Sequence, residues 1–148
     1  MSIHNDKLYH YLNDLSDTYS DLSALMVKKA QALEEDDLYT LDEILNQEQV
    51  CVLKARGFDA NIAAYRKNSG CTGETLGEII EELPQEERRR FTELHARLSR
   101  SLETTKQLSE KCQRIAQVKL HGINRAKNEI AKAADDTPRP DKPFLKNV

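Results

Sequence analysis

The chain has no tryptophan, and aromatic residues make up only 5% of its 148 positions. Thick globular cores draw much of their buried area from aromatic rings, so a chain this poor in them is better served by long helices with narrow apolar seams. Glycine and proline are also few, five and four. They cluster outside the stretches of regular apolar spacing, which again favours helices. No apolar run approaches the roughly 20 residues needed to span a bilayer. The segment Met1 to Asp6 has no basic region followed by an apolar core, so it is not expected to be a secretory signal. The three cysteines, Cys51, Cys71 and Cys112, are odd in number and far apart. They fit neither a disulfide framework nor a paired metal knuckle. Reduced thiols in the cytoplasm are the expectation.

Chemical motifs are missing as well. No glycine-rich phosphate loop and no Gly-x-Ser-x-Gly elbow occurs. His4, His10, His95 and His121 are scattered. Asp6, His10 and Asp14 share a helical face at four-residue spacing, but a solvated acidic face is the expected reading. No Glu-x-x-His pair supplies the inward ligands of a di-iron bundle. No catalytic residue, metal ligand or cofactor is therefore expected, and the chain is read as a binding protein rather than an enzyme.

What the chain has is charge, 32% of its residues, unevenly spread. Residues 1–50 hold three lysines against eleven acids, or −8, while residues 106–134 hold seven bases against Glu110 and Glu129, or +5. No aromatic stacking residues are interleaved with those bases, so nucleic acid is not the expected partner. The pattern suits an acidic early helix beside a basic late one, or a basic face meeting an acidic partner.

Apolar spacing predicts an all-α fold. Leu8, Leu12, Leu15, Tyr19, Leu22, Met26 and Leu33 alternate at four and three residues, with Lys29 filling one slot, which predicts a helix over 6–36 capped by Asn5 or Asp6. Asp37 caps a second helix over 38–68, with the stripe Leu38, Leu41, Leu45, Glu48, Val52, Ala55 and Ile62 and a local bend at Gly57. So short a connection makes the two helices an antiparallel hairpin. Residues 68–74 form a loop. Thr75 and Glu78 make a capping box for a short helix near 75–83, ended by Pro84.

The last helix covers 84–134 on the stripe Phe91, Leu94, Leu98, Leu102, Leu108, Cys112 and Ile115, with Thr105 in one slot. It is expected to pack along the hairpin in an elongated, coiled-coil-like bundle. Leu12, Leu15, Leu22, Leu41, Leu45, Leu94, Leu98 and Leu102 are expected to be mostly buried. The whole of 1–134 is read as one domain and 135–148 as a flexible tail. The Arg88-Arg89-Arg90 run is expected to face solvent. After Ile115 the register slips: Leu120, Ile123, Lys127 and Ile130 form a rotated stripe on a part of the helix expected to overhang the hairpin. A partner is expected to bind there, on Val118, Leu120, Ile123, Arg125, Lys127 and Ile130.

The segment from Lys29 to Glu48, with Leu33, Asp36, Leu38, Leu41, Leu45 and Glu48 across a helix–helix junction, resembles the central signature of the FlgN family of flagellar export chaperones. The order that follows is similar too: Arg66, a glycine-containing loop, the helix ending Leu83-Pro84, and one long final helix. Where that family carries Asn-x-x-Asn, this chain has Ser109 and Cys112. The resemblance covers roughly residues 8–130. It implies a cytoplasmic type III export chaperone. Its clients would be the amphipathic C-terminal helices of hook-associated, hook–filament junction proteins, with the flagellar export gate as a further partner. The competing reading is a structural coiled-coil protein that self-associates, as a weak homodimer, through its overhanging last helix. Neither reading involves membrane insertion.

Overall fold

The structure is a computed structural model and describes residues 3–135. Among them there are five helices and no strand: α1 (Ile3–Glu34), α2 (Leu38–Ala55), α3 (Phe58–Ser69), α4 (Leu76–Glu81) and α5 (Gln85–Asp135). Of the described residues, those up to Cys112 form one compact unit and those from Gln113 on a second. The expected tail lies outside the described residues, except that Asp135 still belongs to α5.

Local chemistry sets the element boundaries. α1 ends where Asp36 takes a left-handed conformation, φ 55°, which aspartate tolerates better than most residues. Asp37 then caps α2, its carboxylate accepting from the Thr40 amide at 3.1 Å and the Thr40 hydroxyl at 2.7 Å. These bonds hold the Asp37 carboxyl below its ordinary pKa, the hydroxyl contributing most. Thr75 and Glu78 form the reciprocal capping box that opens α4. At the other end of α1 the expectation fails. Asn5 is no cap; it lies buried inside α1.

The single helix expected over 38–68 is two. Arg56 is extended, and Gly57 sits at φ 88°, where a side chain would be strained. Gly57 therefore stops α2 and lets α3 start in a new direction, with Asn61 donating back to the Gly57 carbonyl at 2.8 Å.

In the first unit α1 is the central element. α2 and α3 return antiparallel to it, as two contacts show: Lys29 pairs with Glu48 at 3.1 Å, and Tyr65 donates to Asn5 at 2.6 Å. α5 runs parallel to α1. Asn5 donates to Glu87, Arg97 donates to Asn13 at 3.1 Å, Thr105 donates to the Tyr19 carbonyl at 3.1 Å, and the Cys112 thiol meets the Met26 carbonyl at 3.4 Å. One cluster joins Leu8, Leu12 and Leu15 of α1, Ile62 and Tyr65 of α3, Ile79 and Ile80 of α4, Leu83, and Phe91, Leu94 and Leu98 of α5. Further along α1 the core thins to Met26, Ala30, Ile44, Cys51 and Cys112.

Several of the expected seam residues are not buried. Leu12, Leu15, Leu94 and Leu98 are, and Leu22 and Leu41 are half-buried. Leu45 and Leu102 are 40% and 41% exposed, and Leu38 is 75% exposed. On α5 the inward row is Phe91, Leu94, Leu98, Ser101, Thr105, Leu108 and Cys112, spaced three and four throughout. Small Ser101 lies in this row and the adjacent Leu102 does not; one turn on, Thr105 donates to the Tyr19 carbonyl. On α2 the inward row is Leu41, Ile44, Glu48, Cys51 and Ala55. This places Leu45 and Val52 one row outward.

Candidate partner-binding surface

Residues 113–135 present the rotated stripe as the sequence spacing predicts. Val118 is 72%, Leu120 57%, Ile123 54% and Ile130 66% exposed. Every residue from Leu120 to Ala133 is exposed, Arg125 and Lys127 included. Ala116 and Ala134 extend the stripe at the same spacing, giving six positions on one face: 116, 120, 123, 127, 130 and 134. Beside them Gly122 and Ala126 keep the face low. A Cβ added at Gly122 would meet nothing within 4 Å. Two turns of adjacent apolar side chains in water, bordered by bases, have the make-up of a helix-docking face.

The first unit carries a second apolar feature, which the sequence spacing did not reveal. An open groove of about 640 Å³ runs between α1, α2 and α5, and Leu22, Met26, Leu45, Val52, Leu53 and Ser109 are among its lining residues. The signal for it was present on α2. Ile44 and Cys51 fill one row, while Leu45, Val52 and Leu53 make a second, so the helix is apolar over more of its circumference than a single packing partner needs.

The arginine run is exposed at Arg88 and Arg89, as expected, and half-buried at Arg90. Arg88 reaches back to the carbonyls of Glu81 and Leu83 at 2.9 and 3.1 Å, tying α4 to α5. Arg90 stacks over the Tyr9 ring at 4.0 Å and lies 3.6 Å from Asp6. That pairing gives Asp6 a structural partner and separates it from the Asp6, His10, Asp14 spacing noted in the sequence. Among the described residues no group of three or more His, Cys, Asp or Glu gathers to hold a metal ion. The three cysteines are free thiols. Burial is the largest cause pushing each of them up in pKa, away from the reactive thiolate.

The loop before α4 is held by one carboxylate. Glu82 accepts from the Cys71 thiol at 2.6 Å, the Thr72 hydroxyl at 2.7 Å and the amides of Thr72 and Gly73 at 3.2 and 2.8 Å. These donors, the Cys71 thiol first, bring the Glu82 carboxyl down to about 2. A second network, buried, joins Tyr65, Asn5 and Glu87 across α3, α1 and α5. Both are structural clasps within the first unit.

No helix among the described residues is long and apolar enough to cross a membrane. Comparison with curated proteins and with solved structures finds no match. The family described as FlgN protein does match, over residues 1–138. That span takes in the hairpin, the capped short helix and the exposed stripe of α5. The chain belongs to the FlgN family, which is a family of flagellar export chaperones.

Proposed function

We propose that this chain is a cytoplasmic type III export chaperone that holds hook-associated proteins and delivers them to the flagellar export apparatus. Their amphipathic C-terminal helices dock on Val118, Leu120, Ile123, Arg125, Lys127 and Ile130. The observation that carries this reading is the exposure of three large apolar side chains on one face, Leu120, Ile123 and Ile130, with Val118 exposed on the same stretch of helix. A client helix laid along them covers its own apolar face, which would otherwise drive premature assembly.

The energetics suit a reversible hold. Burying the three that share one face, Leu120, Ile123 and Ile130, each a little over half exposed, yields roughly 3–5 kcal/mol. Ordering an unstructured client helix costs roughly 2–5 kcal/mol. The balance is small enough for export to strip the client off, and a rim of Lys119, Arg125 and Lys132 speeds encounter with an acidic client.

The test is Leu120→Asp combined with Ile123→Asp. Both positions are exposed, so the variant is expected to keep its helicity and unfolding midpoint while co-purification with hook-associated subunits is lost. Cooperative unfolding of the variant would make these residues core. A folded variant that still retains the client would place the docking surface elsewhere, with the groove beside Val52 the next surface to test.

A further inference from the structure

The exposed stripe contains one residue that does not belong in an apolar row. Read as a heptad, its core positions are Ala116, Leu120, Ile123, Lys127, Ile130 and Ala134, so Lys127 sits in the middle of the face. Its charge has no partner to find along its own helix. The residues three and four positions away are Ile123, Asn124, Ile130 and Ala131. Arg125 and Lys132 differ, because Glu129 lies within one turn of each.

The same stripe of a second copy cannot supply the missing acid either. In a parallel pair Lys127 would face Lys127 of the other copy, or Leu120 or Ala134 if shifted by a heptad. In an antiparallel pair it would face Ala116, Ile123 or Ile130. The positions flanking the seam hold Gln117, Lys119, Asn124, Ala126, Ala131 and Ala133. No register brings a carboxylate to Lys127. Every pairing of this stripe with itself therefore buries an ammonium against an apolar residue or another ammonium, and burying an unpaired charge is costly.

We propose that Lys127 selects the partner: the helix that docks on this face carries an acidic residue within its own apolar row, opposite Lys127, and the same lysine disfavours pairing of this stripe with its own copy. This rests on the docking role proposed for residues 118–130. A single buried charge in an otherwise apolar seam fixes register and rejects helices that lack its complement, so it sets specificity at a cost in affinity.

The experiment uses the full chain and two synthetic helical peptides of four heptads with leucine at the core positions. They differ only at one central core position, which is glutamate in one and lysine in the other. The chain is expected to bind the glutamate peptide at least about tenfold more tightly, and Lys127→Glu, at an exposed position, is expected to reverse the order. In sedimentation, Lys127→Leu is expected to convert the chain to a concentration-dependent dimer. Equal binding of both peptides would overturn the selection by Lys127 while leaving the docking face standing. Failure of both peptides to bind would remove the docking face together with the inference. A stable dimer of the unaltered chain that Leu120→Asp abolishes would show that Lys127 does not prevent self-pairing, and would overturn that half of the proposal.

Discussion

Replacing Leu98 and Leu102 by alanine, one at a time, separates the observed rotation of α5 from the one its apolar spacing predicts. Leu98 is 3% exposed and lies in the main cluster with Leu12, Leu15 and Leu94. Truncation there removes three buried carbon groups and leaves a cavity that close-packed neighbours only partly fill, at about 2–5 kcal/mol. Leu102, one turn on, is 41% exposed. The same truncation there opens no cavity, because water takes the vacated space, and at ~0.8 kcal/mol per buried carbon group it costs at most about 1.4 kcal/mol. The assay is urea unfolding followed by helicity. With a slope of roughly 2 kcal/mol per molar, the Leu98 variant should lose about 1–2.5 M of its midpoint and the Leu102 variant less than about 0.7 M. Equal losses would mean that Leu102 faces α1, and the inward row through Ser101 and Thr105 would be wrong.

Glu82 is held near a pKa of about 2, below its ordinary 4.5, so its clasp contributes stability above pH 4.5 that disappears as the pH falls from there towards 2. Glu82→Gln should flatten the unfolding midpoint across that window, and an unchanged pH profile would refute the clasp. Gly73→Ala should destabilise by about 1–3 kcal/mol, since a Cβ there would lie 2.7 Å from the Ile79 amide nitrogen and 2.9 Å from the Glu78 carbonyl carbon, both backbone. Denaturant titration reads the loss, and a neutral result would show that the loop does not close on α4 as described. Tyr65→Phe should cost roughly 0.5–1.5 kcal/mol for its bond to Asn5, by the same measurement. Val52→Asp with Leu53→Asp, both on the open groove, should leave capture of hook-associated subunits intact in co-purification; loss of capture with retained fold would move the client to that groove.

The features that could be read from the sequence are those whose chemistry is local. Asp37 and Thr75 cap helices because their side chains bond to amides three residues on, and that spacing is visible in the chain itself. The stripe on residues 118–130 was legible for a similar reason: its spacing is regular and no competing row lies beside it. Periodicity falters where two rows are adjacent. It identifies the helix but not which row turns inward, so leucine was preferred to serine at 101–102 and Leu45 to Ile44. What decides between rows is contact with distant elements, which spacing along one helix does not carry. The Tyr65–Asn5–Glu87 network was hidden because its members are 60 and 82 positions apart. The groove stayed hidden because it exists only once α2 and α5 are both placed beside α1.

That central position of α1 has a kinetic side. Its contact with α2 through Lys29 and Glu48 spans 19 residues, whereas its contacts with α5 span 82 to 86. Closing a loop costs about (3/2)RT ln n, so each α1–α5 contact demands roughly 1.3 kcal/mol more chain entropy than the hairpin does. The hairpin should therefore assemble first, and during synthesis it emerges with one flank of α1 still bare. Leu94, Leu98 and their neighbours arrive only when α5 has been made. For that interval the growing chain displays an unsatisfied apolar helix face of the kind it is proposed to cover on its clients.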